Sequence, residues 1–262
     1  SSVMLSPSSK EYFKNGIVSG VKGAIVPEYY VLESGIAAVG DMFGWFVDHM
    51  VSEEYAEKAK AEGKNLHVYL TEKASELKPG ESGVVALDWW NGNKTPYVDG
   101  RLSGVLVGCT LNTKSEEIYR ALIEATAFGT RKIVEMYKEA NPDIRMIIAS
   151  GGIAEKNPLF MQIYADVLNC EIRLSATDQT AALGSAIYAA VAAGKANGGY
   201  DSVEEAVKNM SHLKEKKYTP IPENVKMYNE LFDIYCELIR IFDPNKTSVM
   251  SRILHMKQKN EE

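Results

Sequence analysis

The sequence is poor in cysteine and histidine. Its three cysteines, Cys109, Cys170 and Cys236, stand far apart and form no C-x-x-C pair. This pattern argues against a disulfide scaffold and suits a reducing cytoplasm. The four histidines are equally scattered, so no zinc-ligand spacing is present. We therefore expect a cytoplasmic protein without a metal site of its own.

Long apolar runs and clusters of positive charge are also absent. No apolar segment approaches the roughly 20 residues that a membrane-spanning helix requires. The formal net charge is −6, and no tract is dense in Lys or Arg, which argues against binding to a nucleic-acid backbone. We expect neither a membrane nor a nucleic acid as a partner.

Several sequence motifs of nucleotide binding and catalysis are missing. Gly194-Lys195 lacks both the upstream glycine and the following Ser or Thr of a GxxxxGK[ST] loop, and no GxGxxG follows a predicted strand. A G-x-S-x-G turn is absent, and no Cys/His pair is a convincing nucleophile. A ligand would have to approach the backbone of glycines, which are Gly40, Gly108, Gly151 and Gly152. From spacing alone, the sequence indicates an α/β domain that could bind a ligand.

The remaining composition is that of an ordinary globular chain. With 262 residues, of which 45% are hydrophobic and 24% charged, the chain can bury a core as one large domain or two small ones. It begins without an initiator Met, inside an apolar run typical of a strand already under way. We therefore interpret it as a fragment of a longer protein.

The segment 146–174 organises the rest of the prediction. An apolar run at 146–150 predicts a buried strand, and Gly151-Gly152 follows it. Asn157 is typical of an N-cap and Pro158 of a first helical residue, and a second strand is predicted at 170–174. The glycine pair either lets a flat ligand lie against bare backbone or only makes a tight turn. Both readings stay open.

Other elements are predicted around this unit. Strands are expected at 3–5, 84–87 and 103–109, and helices after 33–35 through Met50, at 52–64, from a capping box at 113–116, at 180–194, from Ser202, and at 222–242. The helix at 180–194 consists almost wholly of small residues, and such a helix can lie very close to a sheet or to a bound nucleotide. The amphipathic helix at 222–242 either covers the domain's own core or forms an interface, as in a homodimer.

Four ordered motifs carry a resemblance to a known family. They are GVLVG at 104–108, EIYRALIE at 117–124, SGG at 150–152 with NPL at 157–159 and Gln162, and ALGSA at 182–186. Together, over about residues 80–194, they resemble the carboxyl-terminal half of the FGGY carbohydrate kinases. Within that family, LDWWNGN at 87–93 and YRALIEATAFGTR at 119–131 resemble the L-ribulokinases. Residues 1–4 resemble the tail of a Gly-Thr-Ser phosphate turn.

The resemblance implies a fold and a division into lobes. The family fold is the actin-like ATPase fold, in which two RNase H-like α/β lobes, each a mixed sheet flanked by helices, close on ATP and sugar. This chain would be the carboxyl-terminal ATP-binding lobe over residues 1–244. A surface helical insertion is expected at 52–80 and a peripheral tail at 245–262. The amino-terminal sugar-binding lobe would be missing.

The resemblance also implies site residues, which we transfer by position. Those of the nucleotide site are Gly40, Phe43 and Gly44 beside the nucleotide, Gly151 and Gly152 facing the adenosine, and Asn157 by the ribose or base. Glu33 falls where the family approaches the sugar. Two departures affect the sugar contacts more than the fold: Ile36 stands where ribulokinases show a polar residue, and Cys109 replaces an aliphatic one.

The resemblance further implies the reaction. The complete enzyme would transfer the γ-phosphoryl group of MgATP to the terminal hydroxyl of L-ribulose, giving L-ribulose 5-phosphate in arabinose catabolism. D-Ribulose or D-xylulose are alternative substrates, and a standalone nucleotide-binding module is an alternative of another class. The family's catalytic base is an Asp of the first lobe, before Ser1. We therefore expect the chain alone to be inactive, with neither Asp88 nor Asp178 replacing that base.

Overall fold

The computed structural model describes residues 2–14, 16–19, 22–141, 143–242 and 249–259. Among them the strands are β1 (Ser2–Ser8), β2 (Val18–Ser19), β3 (Tyr30–Ile36), β4 (Val85–Leu87), β5 (Val105–Val107), β6 (Met146–Ala149), β7 (Glu171–Ser175) and β8 (Leu213–Tyr218). The helices are α1 (Gly40–His49), α2 (Glu53–Ala61), α3 (Leu66–Ser75), α4 (Ser115–Ala140), α5 (Gly152–Lys156), α6 (Pro158–Leu168), α7 (Thr180–Ala193), α8 (Val203–Met210), α9 (Pro222–Phe242) and α10 (Val249–Lys259).

These strands form three small sheets. One is the antiparallel order β1-β3-β2, and the second is the antiparallel pair β4-β5. The third is mixed, because β6 runs parallel to β7 and β8 runs antiparallel to it. A mixed sheet flanked by helices was predicted and is confirmed, whereas β8 was not predicted.

The core surrounds α4. This helix packs against α3, α6, α9 and β4, and every residue from 119 to 130 is buried. The capping box at its start lies one residue later than predicted, with Lys114 as the N-cap residue. The carboxylate of Glu117, and not that of Glu116, accepts a hydrogen bond from the backbone N–H of Lys114 at 2.6 Å. Helix α9 has the predicted bounds, and its own side chains Tyr228, Tyr235 and Leu238 are buried. The helix therefore covers the domain's own core, which was one of its two predicted roles.

The two helices of the predicted surface insertion at 52–80 differ in burial. Helix α2 is largely exposed, but in α3 the side chains of Tyr69, Leu70 and Ala74 are buried. Helix α3 therefore belongs to the core, since its apolar face packs against α4.

Two elements are more exposed than predicted. Strand β6 was expected to be buried, yet Met146 is 42% and Ile148 56% exposed, because β6 lies at the edge of its sheet. Helix α7, whose small residues would let it lie close to a sheet or to a bound nucleotide, buries Ile187 alone and packs chiefly on α8. Of these two possibilities, packing against a sheet of this lobe is not what the structure has.

The ends of the lobe are described in part. Met250 of α10 is buried, and its sulfur accepts a hydrogen bond from the backbone N–H of Ser103 at 3.4 Å, so the predicted tail is anchored at this point. Ser1 of the predicted phosphate turn and the predicted boundary at 244 lie outside the described residues. No described helix is long and apolar enough to cross a membrane.

Candidate functional site

A cavity of about 990 Å³ lies between α1, α3 and the α5–α6 segment. Its volume is at the upper end of the roughly 300–1,000 Å³ that is typical of small-molecule sites. Four residues transferred from the family resemblance line it, namely Gly40, Phe43, Gly152 and Asn157. The fold therefore brings residues that are more than 100 positions apart to one site.

Two glycines expose backbone to this cavity. Gly40 begins α1, and a Cβ atom placed on it would lie 3.7 Å from Cδ1 of Ile153. Gly152 begins α5, and a Cβ there would meet nothing within 4 Å. A side chain at Gly152 would therefore occupy space that is open to a ligand.

The two glycines of the pair at 151–152 have different surroundings. Gly151 has a φ of +98°, a left-handed conformation that favours glycine, and it turns the chain from β6 into α5. It does not line the cavity, whereas Gly152 does. Gly151 thus makes the turn, and Gly152 presents bare backbone to the cavity.

Asn157 caps α6 as predicted. Its Oδ1 accepts a hydrogen bond from the backbone N–H of Phe160 at 2.9 Å, and Pro158 is the first helical residue. Its Nδ2 donates to Oγ1 of Thr71 on α3 at 3.2 Å. The carboxamide is therefore fixed at two points, although the residue lines the cavity.

Aromatic rings form an apolar wall of the cavity. The ring centroid of Phe43 lies 5.2 Å from that of Tyr119 and 6.0 Å from that of Phe160. Such tilted arrangements are the favoured packing of aromatic rings. Flat apolar surface and bare backbone together suit a flat ring system such as a nucleobase.

Besides Gly151, two transferred residues do not line this cavity. Gly44 lies one turn after Gly40 on α1, and a Cβ there would meet nothing within 4 Å. Glu33, which the resemblance suggests for the sugar, lies in the middle of β3 and forms an ion pair with Lys94 at 3.7 Å.

The sequence interpretation missed the contribution of α3. His67, Thr71 and Glu72 line the cavity from this helix. A usable signal existed, because Asn65 is an N-cap whose Oδ1 accepts from the backbone N–H of Val68 at 2.9 Å. The charged composition of residues 52–64 masked it.

Two titratable groups of the wall, His67 and Tyr119, lie side by side. His67 Nδ1 lies 3.3 Å from the Tyr119 hydroxyl, and burial lowers the pKa of His67 while it raises the pKa of Tyr119. Both shifts favour the uncharged form of the group concerned. The same cavity is also lined by the ionisable side chains of Glu72 and Lys156.

Neither aspartate considered as a substitute base lies at this cavity. Asp88 is buried against α4 and accepts a hydrogen bond from the Tyr235 hydroxyl at 2.7 Å, and burial raises its pKa to about 6. Asp178 precedes α7, where Gln179 is the N-cap residue. In the described part of the chain, no group of three or more His, Cys, Asp or Glu side chains could hold a metal ion.

Comparison with protein families identifies relatives of the chain. The family model described as the C-terminal domain of the FGGY family of carbohydrate kinases matches residues 1–193. The ribulokinase of Bacillus licheniformis is 50% identical over 242 residues, which are 92% of this chain and 44% of the relative. That of Halalkalibacterium halodurans is 50% identical over 248 residues, 95% of this chain and 44% of the relative. The chain thus spans less than half the length of these relatives.

Solved structures confirm the fold. The xylulose kinase of Rhodospirillum rubrum matches with a TM-score of 0.75 and 25% identity, over 92% of this chain and 45% of that chain. The gluconate kinase of Lactobacillus acidophilus matches with a TM-score of 0.76 and 19% identity, over 91% and 45% of the respective chains. The predicted actin-like ATPase lobe is thereby confirmed.

Proposed function

The chain belongs to the FGGY family of carbohydrate kinases, and from this premise we propose that it is the ATP-binding lobe of a ribulokinase. The observation that carries the proposal is the cavity in which Gly152 presents backbone opposite the aromatic wall. The adenosine of ATP would lie there, with its base near Phe43 and with Asn157 beside the ribose or the base.

The complete enzyme would transfer the γ-phosphoryl group of ATP to the terminal hydroxyl of L-ribulose, as a step of arabinose catabolism. Two relatives named ribulokinase support this substrate at 50% identity, whereas the xylulose kinase structure is 25% identical. A panel of L-ribulose, D-ribulose and D-xylulose on the complete enzyme separates the substrates. Preference for either D-sugar would overturn the L-ribulose assignment.

The catalytic base and the amino-terminal lobe belong to the part of the relatives that this chain does not cover. Glu33 stays our candidate for a sugar contact from this lobe, and Gly44 and Gly151 would act on the nucleotide through their neighbours Gly40 and Gly152. No described group of three or more His, Cys, Asp or Glu side chains could hold a metal ion, and we assign none of the described residues to Mg²⁺. A cytoplasmic location is our proposal from the three free cysteines.

Replacement of Gly152 by Val in the complete enzyme tests the site. The side chain would enter open space in the adenosine cavity, so we expect the KM for ATP to rise about tenfold or more, equivalent to about 1.4 kcal/mol. The KM for the sugar should change little. The matched control is Gly100→Val, at an exposed glycine where a Cβ also meets nothing within 4 Å.

Equal increases in both KM values would contradict the adenosine assignment. Activity of the 262-residue chain by itself is a second check, because we expect it to lack the base. Sugar-dependent ADP release by that chain would overturn the proposed division of labour between the lobes.

A further inference from the structure

A line of polar side chains crosses the cavity wall from α6 to α3. Asn157 Nδ2 donates to Thr71 Oγ1 at 3.2 Å. The Thr71 side chain faces the Tyr119 hydroxyl, which lies 3.3 Å from His67 Nδ1. All four residues line the cavity, so three helices contribute to one polar edge.

Chemistry fixes the direction of the bond between Asn157 and Thr71. An amide nitrogen can only donate, so Thr71 Oγ1 accepts from Asn157 and its own proton is free for the Tyr119 oxygen. Between the Tyr119 hydroxyl and His67 Nδ1, the tautomer of the histidine sets which atom donates.

The same bonds fix the Asn157 carboxamide. Its Oδ1 already accepts from the Phe160 backbone N–H at 2.9 Å, and a flipped amide would place two donors face to face there. One amide hydrogen is used by Thr71. The other has no partner among the hydrogen bonds of Asn157 that we observe.

We propose that Thr71 is a positioning residue for nucleoside recognition, which holds Asn157 so that its second amide hydrogen is donated to an acceptor atom of a purine nucleoside in the cavity. This inference rests on the proposed function and adds a determinant from α3. Thr71 itself does not touch the ligand in this scheme. Its loss leaves the carboxamide held only through Oδ1, so the amide nitrogen is less well placed and binding should weaken without loss of the cavity.

Three variants of the complete enzyme test the role of Thr71. Thr71→Val keeps the side-chain shape but removes the hydroxyl, and we expect the KM for ATP to rise about five- to tenfold, the loss typical of one hydrogen bond. The KM for the sugar and kcat should stay within about twofold. Thr71→Ser keeps the hydroxyl and should restore the KM for ATP. Thr113→Val, an identical change in the exposed turn before α4, should change none of these.

The outcomes separate a positioning role from a structural one. Equal increases of both KM values in Thr71→Val, or no rescue by Thr71→Ser, would mean that Thr71 only ties α3 to α6 and would overturn the inference. So would an unchanged KM for ATP. If Thr71→Val fails to fold by circular dichroism, Thr71→Ala removes the same hydroxyl and is judged by the same criteria.

A binding measurement on the unsubstituted enzyme keeps the two proposals apart. Equilibrium dialysis with ATP should show binding. Absence of binding would overturn the proposed function itself, and with it this inference. Binding combined with a Thr71→Val variant of normal KM for ATP would overturn this inference alone.

Discussion

Helices α4 and α7 are both rich in small residues, yet they lie in opposite environments. Every residue of α4 from 119 to 130 is buried, whereas α7 buries Ile187 alone. Each helix carries an interior glycine, Gly129 in α4 and Gly184 in α7. The comparison shows that small side chains permit close packing, but that surrounding elements decide whether it occurs.

The buried helix also carries a polar network that the exposed helix lacks. In α4, Arg120 Nε donates to Glu124 Oε1 at 2.8 Å, and Arg120 Nη2 donates to the Tyr228 hydroxyl at 2.9 Å. Arg120 Nη1 also donates to the carbonyl oxygen of Ala74 in α3 at 2.9 Å. The motif shared with ribulokinases therefore joins α3, α4 and α9, and through α3 it supports the cavity wall.

The largest expected loss of stability is that of Arg120→Met in α4. This change leaves the Glu124 carboxylate buried without its cation, and breaking a buried pair costs about 3–5 kcal/mol. Urea denaturation should show this loss in the free energy of unfolding. Ser185→Ala on exposed α7 should stay within about 0.5 kcal/mol.

The double variant Arg120→Met/Glu124→Leu is the control for the buried charge. Removing both ions should recover much of the lost stability, because no uncompensated charge remains. A loss below about 1 kcal/mol in Arg120→Met alone would show that the network contributes little to the stability of α4.

The two interior glycines should respond to alanine with opposite signs. A Cβ on Gly129 would lie 2.5 Å from Oδ2 of the buried Asp88, so Gly129→Ala should cost about 1–3 kcal/mol through overpacking. A Cβ on Gly184 would meet nothing within 4 Å. Gly184→Ala should therefore stabilise the protein by up to about 1 kcal/mol through helix propensity. Thermal unfolding of both variants measures the two changes in stability. Changes of the same sign would contradict the environments described for α4 and α7.

The smallest effect concerns pH and the carboxyl group of Asp88 beneath α4. Burial raises the pKa of Asp88 to about 6, above the value of about 4 in an unfolded chain. Between these values the folded state binds more protons, so this group stabilises the protein as the pH falls from 7 to 5. Relative to Asp88→Asn, the unsubstituted protein should gain about 1 kcal/mol over that interval, measured by urea unfolding.

Burial raises the pKa of Glu124 as well. Because this residue is present in both proteins, its contribution cancels in the comparison with Asp88→Asn. A constant difference between the two proteins from pH 7 to pH 5 would contradict the assignment to Asp88.

Much of the fold could be predicted because it depends on local signals. Asn157 and Pro158 indicate the start of α6 by their capping chemistry, and the apolar spacing of residues 222–242 indicates α9. Strand β8 could not be predicted, since its LKEKKY sequence is mostly charged and it is held by pairing with β7.

The sequence predicted the part of the candidate site that α1 and the α5–α6 segment contribute, but not the part contributed by α3. The resemblance suggested Gly40, Phe43, Gly152 and Asn157, which line the cavity, but it also suggested Gly44 and Glu33, which do not. It gave no role to Thr71 of α3, because residues outside the matching motifs carried no signal.

The sequence by itself determined the family, the main helices and the glycine turn at Gly151-Gly152, because these depend on residues near one another in the chain. Only the tertiary structure decided that α3 lines the cavity and buries one face against α4, and that α7 stays exposed. Both outcomes depend on contacts between distant segments, such as the bond from Asn157 to Thr71 across 86 positions, and local propensity does not encode such contacts.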